Sequence, residues 1–288
     1  MFRLKSEISS KKAAEICCGS HIGPEKMIDN VAPFGLENQG SVCFSSKKKN
    51  LDDNLAVYIV SEKSILNDGQ YSFIKVSNPR YAMALLLNFL INEKNIAIDY
   101  ETKVAENCQI AKSAIIEEGV TIEKGVSIGD NSVIKSGTHI KENSQIESGS
   151  IIGGKGFGYV RDENRIPIYF PHIGRTIIGR ECFVGDLSII NRGALSDTLI
   201  MDYVKIDQNV HVAHNVIVDT GSLLCSGAVI GGSSKIGANC FVGINATIRD
   251  GIVLGDDITI GMGVSVIKNV RSGSVVSLKR GYPGRKLT

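Results

Sequence analysis

The chain has 288 residues, 43% of them apolar, with 31 Gly, 6 Pro and no Trp, enough to bury a sizeable core and to hold a repetitive unit beside one small globular domain. Its 32 Lys and Arg against 30 Asp and Glu leave a formal charge of +2, which argues against the broad basic footprint of a nucleic-acid binder. The 7 cysteines fit a reducing compartment better than a disulfide framework.

Met1 to Ser10 lacks the apolar segment of a signal peptide, and the longest apolar stretch, Ala82 to Ile91, is broken by Asn88 and too short to cross a bilayer. A cytoplasmic protein is expected. Lys11 to Cys18 reads as a short helix, and the adjacent Cys17 and Cys18 fit neither a simple disulfide nor a CxxC site. Lys47-Lys48-Lys49 reads as a solvated loop. Asn54 to Ser61 and Ser72 to Val76 read as strands, and Asn78-Pro79-Arg80 opens a helix that runs through Asn92. Residues 1–100 therefore form a small α/β domain, and Asn95 to Lys103 connects it to a second region of different character.

From Val104 onward the rules change. Aliphatic residues recur every six positions through Ile110, Ile116, Ile122, Ile128, Ile134, Ile140, Ile146 and Ile152, resume at Ile178, Val184 and Ile190, and run unbroken from Ile200 to Val266. A period of six suits neither a helix nor a simple amphipathic strand, so it marks a repeat. Four residues after each aliphatic position stands a small or β-branched residue, such as Val120, Ser132, Val210 or Ala246, two positions before the next aliphatic residue. That spacing puts both on one face of a short strand. Turn-forming Gly, Asn and Asp separate the strands.

Three strands close a triangle, so one coil takes eighteen residues, and the 24 aliphatic positions make eight coils. At about 4.8 Å per coil the stack is roughly 40 Å long. Cys108, Cys182 and Cys240 occupy the small inward position and read as core packing. The repeat domain spans 101–270, followed by a short tail, 271–288.

Two segments, 153–175 and 192–199, interrupt the register as extruded loops, and solenoid insertions often build binding sites. The first opens Gly153-Gly-Lys-Gly-Phe-Gly-Tyr159, which is no phosphate loop, since the Lys-Ser/Thr ending and the following helix are missing. Chemistry points instead to His211-Val-Ala-His214-Asn215. Val212 is the inward residue, so His214 lies two positions on, at a corner and pointing outward. Eighteen residues later is Gly232, at the same corner one coil above, where a bare backbone N–H can reach a substrate oxygen. A general base below an oxyanion donor is an acyl-transfer arrangement.

A zinc site of the β-helical carbonic anhydrase type asks for three well-placed imidazoles, and the His211/His214 spacing, with His21, His139 and His172 elsewhere, does not supply them; no metal is expected. A purely structural or ice-binding solenoid would show a regular outward ladder of one residue type, and none is present. An outward histidine on a convex corner lacks a pocket, so a neighbouring copy in a homotrimer is expected to enclose it.

Asn191-Arg-Gly-Ala-Leu-Ser-Asp-Thr198, Val204 through Val216, Ile230-Gly-Gly-Ser-Ser, Gly261-Met-Gly263 and Gly156-Phe-Gly-Tyr159 together resemble the UDP-3-O-(3-hydroxyacyl)glucosamine N-acyltransferase family of lipid A synthesis. The resemblance is strong over 150–268 and weak over 1–100. It implies an all-β left-handed parallel β-helix with a small N-terminal α/β domain that binds uridine, assembled as a homotrimer. The left hand comes from the resemblance alone, since crossover preference argues for the other.

Carried over by position, the resemblance makes His214 the base that takes a proton from the sugar amine and Gly232 N–H the oxyanion donor. Asp207 matches a family aspartate; one face earlier on the same coil, it reaches a catalytic histidine only from a neighbouring subunit. Asn215 is a candidate support for the histidine, and Phe44, Gly156, Phe157, Gly158 and His211 are candidate substrate contacts. No cofactor is implied beyond the co-substrate, an acyl carrier protein or coenzyme A thioester.

The chain departs from the family in three places. The stretch Phe44-Ser-Ser-Lys-Lys-Lys-Asn50 keeps the first uracil-stacking aromatic and has Asn50 in place of the second; a further family histidine aligns with Gly251; and the ending, Arg280-Gly-Tyr-Pro-Gly-Arg-Lys-Leu-Thr288, lacks the family's C-terminal helices and is more like the tail of coenzyme A-dependent sugar acetyltransferases. The expected reaction is N-acylation of a nucleotide-activated amino sugar. UDP-3-O-acyl-glucosamine with an acyl carrier protein donor leads; the alternative is acylation from acyl-coenzyme A of another nucleotide amino sugar, for O-antigen or capsule.

Overall fold

The computed structural model describes residues 2–45, 56–63, 71–96 and 100–277. They divide into two compact units, one of Met1–Asp99 with Gly158–Ile173 and Ala194–Ser196, the other of Tyr100–Phe157, Gly174–Gly193 and Asp197–Thr288.

In the first unit, helix α1 (Ser10–Ile16) starts because Ser9 is extended and its side chain accepts the Lys12 N–H. It stops two residues short of the expected Cys18, which has left-handed φ (53°) and turns the chain. Helix α2 (Pro79–Asn92) begins as its sequence predicts, with Asn78 capping the Arg80 and Tyr81 N–H groups and Pro79 in the first turn. Its Ala82, Met83, Leu86, Leu87 and Leu90 are buried.

Among the described residues the sheet has six strands, β1 (Phe2–Ser9), β2 (Ser20–Ile22), β3 (Met27–Val31), β4 (Ser41–Phe44), β5 (Val57–Ser61) and β6 (Ser72–Val76), in the order β1-β3-β4-β5-β6-β2. The two predicted strands are the parallel neighbours β5 and β6; Asn54, Leu55 and the lysine run 47–49 lie outside the described residues. Strand β1 was not legible because it is mostly polar and only Phe2 is fully buried. Asn95 is more than a connector. Its side chain accepts Ser6 N–H and donates to Ser6 O, fastening β1.

Val57 and Ile59 enter the core beneath the helices, while Tyr58 and Val60 face a second apolar cluster with Cys43 and Phe73. The first insertion contributes an antiparallel hairpin, Tyr159–Arg161 with Pro167–Tyr169. Phe170, Ile173 and Leu195 complete the first unit's core. The middle of each inserted segment, Gly158–Ile173 and Ala194–Ser196, thus groups with the N-terminal unit rather than with the repeat that emits it, because its apolar side chains are buried there.

Among the described residues the second unit is a stack of coils whose three faces are parallel sheets of eight, nine and eight strands. Ile122, Ile140, Ile178, Ile200 and Val218 line the first face, Ile128, Val184, Ile206 and Leu224 the second, and Ile134, Ile152, Ile190, Val212 and Ile230 the third, all buried in one continuous core. Each such side chain contributes about 1.5–3 kcal/mol relative to exposure. Cys182 and Cys240 are buried in the small inward position and Cys108 is half-buried at the end of the stack. Burial pushes the Cys182 thiol up to about 11.

Inward serines fasten successive coils. Ser222 Oγ, for example, accepts Cys240 N–H and donates to Gly237 O. Corners are made by left-handed residues, mostly Asn or Gly, such as Asn209, Asn239 and Asn245. The ninth strand of the second face, Val275–Val276, pairs with Thr259–Ile260. The period of six missed it because Val270, not a residue at Val266 plus six, bridges Leu254.

No helix among the described residues is long and apolar enough to cross a membrane.

Candidate active site

The first insertion leaves the repeat after Ile151–Gly154 on the third face and returns at Thr176–Ile178 on the first. The second leaves after Ile189–Asn191 on the third face and returns at Thr198–Ile200 on the first. Both break the same edge of the coil. On that edge, one turn further, sits His214, following His211–Val212 of the third face.

Val212 pairs with Ile230 and Ser233 N–H donates to His214 O at 2.8 Å, so Gly232 lies directly over the histidine as its spacing predicts. A Cβ built at Gly232 would fall 2.8 Å from both Cε1 and Nε2 of His214. Its φ is unexceptional, so glycine is required here by the ring below and not by backbone conformation. Among the described residues Gly232 N–H has no acceptor.

His214 is half-buried, and its Nδ1 lies 2.9 Å from Asn215 Oδ1. An amide oxygen only accepts, so Nδ1 carries the proton and the lone pair is on Nε2, the atom beside Gly232. Asn215 itself is left-handed (φ 60°), and its N–H donates to Thr198 Oγ1 at 2.8 Å.

His211 is on the adjoining strand, its Nε2 3.5 Å from Asn191 Nδ2, and burial lowers its pKa, which favours the neutral ring. Asp207 is at the corner between the second and third faces, away from the His214 corner. Its Oδ1 accepts Gln208 N–H at 2.8 Å and its Oδ2 accepts Ser226 N–H at 3.0 Å, fastening one turn to the next. In the first insertion Gly156 is buried and Phe157 is 88% exposed. Gly158 is closed in by His172, whose Cε1 would lie 2.4 Å from a Cβ there.

Phe44, in the first unit, packs against Phe170 with ring centroids 6.0 Å apart, and the Arg80 guanidinium covers the Phe170 ring at 5.6 Å. The remainder of the expected uracil stretch, through Asn50, lies outside the described residues. Sequence reading gave no individual role to Thr198, Asn191, Phe170 or Arg80; Asn191 and Thr198 bracket the second insertion, a signal that could have singled them out. Among the described residues no group of three His, Cys, Asp or Glu could hold a metal ion.

The model for bacterial transferase hexapeptide repeats matches residues 101–136 and 197–232, and that for the hexapeptide repeat of succinyl-transferase matches 235–268. The coil is a hexapeptide-repeat solenoid. The chain is 46% identical over 67 residues to the UDP-3-O-acylglucosamine N-acyltransferase of Coxiella burnetii, covering 23% of this chain and 20% of that one. It is 44% identical over 68 residues to the enzyme of the same name from Hydrogenovibrio crunogenus, covering 24% and 19%. These matches thus span about a fifth of the curated relatives' length. A solved UDP-N-acetylglucosamine O-acyltransferase from Moraxella catarrhalis aligns with 62% of this chain and 69% of its own at 20% identity, with a TM-score of 0.42.

Proposed function

We propose that the chain is an N-acyltransferase that moves an acyl group from a thioester to the amine of a nucleotide-activated amino sugar, with UDP-3-O-acyl-glucosamine as leading acceptor and an acyl carrier protein as donor. The observation that carries this reading is the pairing of a lone pair on His214 Nε2 with the free Gly232 N–H directly above it. As the amine nitrogen attacks the thioester carbonyl, Nε2 takes its proton and Gly232 N–H stabilises the oxyanion. The tetrahedral intermediate then collapses, the C–S bond breaks, and the imidazolium returns the proton to the leaving thiolate. The thioester supplies the activated acyl group, so this chemistry asks for no resident metal or cofactor.

His214 stands on a convex edge, and a second copy in a homotrimer would enclose it. Such a copy would also be the source of any contribution from Asp207. His211, Gly156, Phe157 and Gly158 are assigned to the acceptor, and the reaction to the cytoplasm. Packing of Phe44 on Phe170 favours a second reading, in which the nucleotide is not stacked as uracil and the acceptor is another amino sugar acylated from acyl-coenzyme A.

Purified protein would be given UDP-3-O-acyl-glucosamine with either acyl carrier protein or coenzyme A thioesters. Consumption of the carrier-protein thioester, abolished in His214→Ala, supports the first reading. Use of coenzyme A thioesters alone supports the second, and wild-type turnover in His214→Ala overturns both.

A further inference from the structure

We infer that Thr198 is a positioning residue for the His214 turn, replacing a backbone carbonyl that the second insertion has removed. The inference rests on the reading of His214 as a base.

In this solenoid the left-handed residue of a turn ordinarily donates its N–H to a carbonyl of the turn one coil below. Ser233 donates to His214 O, Gly251 to Gly232 O, Asn209 to Asp186 O, Gly227 to Gln208 O and Asn245 to Ser226 O. Asn215 departs from this pattern. Beneath it the corresponding turn has been drawn out into residues 192–197, and its N–H goes instead to Thr198 Oγ1. Two other turns do the same: Gly119, in the lowest complete turn of the same edge, donates its N–H to Thr102 Oγ1 at 2.7 Å, and Asn131, on the edge between the second and third faces, donates to Ser113 Oγ at 3.1 Å. At Asn215 and Gly119 the acceptor is a threonine seventeen residues upstream, where no ordinary turn lies directly below; at Asn131 it is a serine eighteen residues upstream.

At Thr102 nothing catalytic depends on the bond. At Thr198 the supported residue is the one whose Oδ1 fixes the proton on His214 Nδ1. Thr198 is fully buried and paired in register with Thr176, so its hydroxyl is held rigidly. Without that acceptor the Asn215 peptide loses its anchor, Oδ1 leaves Nδ1, and the imidazole is free to place its proton on Nε2, where it is useless as a base. A left-handed asparagine is tolerated and not favoured, so a part-buried hydrogen bond from its N–H helps hold it there.

The test is Thr198→Val. Valine is compatible with the site, since Val216 occupies the same column one coil above. We expect kcat to fall roughly 10- to 100-fold with KM little changed, and ¹⁵N spectra of labelled histidine to show His214 shifting from the Nδ1–H tautomer to a mixture. Thr198→Ser should restore both, and Thr102→Val should alter neither. If Thr198→Val does not fold, Thr198→Ala is measured in its place. An unchanged tautomer, whatever happens to kcat, overturns the inference. A shifted tautomer together with acylation that survives His214→Ala sustains the inference about the turn and defeats the functional reading instead.

Discussion

Two edges of the solenoid are built from the same repeat and behave differently. On the edge between the second and third faces no residue is inserted, and the turns above the first are held by the carbonyl below: Gly149 on Asp130, Leu187 on Ser148, Asn209 on Asp186, Gly227 on Gln208, with only Asn131, near the end of the stack, held by the Ser113 hydroxyl among the described residues. The ladder is strong enough to keep even Leu187 left-handed (φ 58°). On the edge between the third and first faces two insertions break the ladder, and side chains take over: Arg192 donates to Gly153 O, Arg175 clamps Asp197 through its backbone N–H, Nε and Nη2, and Thr198 supports Asn215. The regular edge supplies stability that any turn residue can share; the broken edge depends on named side chains, and there the candidate chemistry sits.

Substitutions sharpen or break this contrast. The largest effect is expected from His214→Ala, which should lower kcat by about 10² to 10⁴ while the melting temperature stays put; a parallel loss of stability would mean that the ring is structural. Ile206→Ala, deep in the regular part, should do the reverse, costing about 2–5 kcal/mol in denaturant unfolding with little change in turnover per folded molecule. Gly232→Ala pushes a methyl group against Cε1 and Nε2, and a loss of roughly 10²-fold in kcat is expected. If this variant is fully active, the ring yields easily and the donor role of the N–H is in question.

Asp207→Ala on the regular edge removes acceptors from Gln208 and Ser226 and should cost about 1 kcal/mol, read by chemical denaturation. Full turnover in the folded variant would rule out a contribution from a neighbouring copy. The smallest effect concerns His211. Its pKa is lowered by burial, so the unfolded chain binds the proton more readily than the folded one; stability is unaffected at neutral pH and falls as pH drops below about 6.5, levelling off beneath the folded value. His211→Gln should flatten that fall, and unfolding curves from pH 7.5 to 5 would show it.

The legibility of each feature in the sequence depends on how local its cause is. The repeat was readable because Ile and Val at every sixth position are each decided by their own coil. The Gly232-over-His214 register was readable too, since eighteen residues make one coil. Thr198 was not, because its role comes from a carbonyl absent one coil below. Strand β1 hid behind polar side chains, and the bridge at Val270 broke the period. Phe170 and Leu195, read as loop residues of the repeat, belong to a core assembled from chain far upstream.

That last feature bears on synthesis. A ribosome that has released only residues 1–99 has made every element of the first sheet but not Phe170, Ile173 or Leu195, which lie buried among them. The nascent unit must wait, its apolar floor open to solvent and to chaperones, until about a hundred further residues have emerged. An isolated N-terminal fragment should therefore bind hydrophobic dyes and be degraded quickly, and the addition of later chain should rescue it.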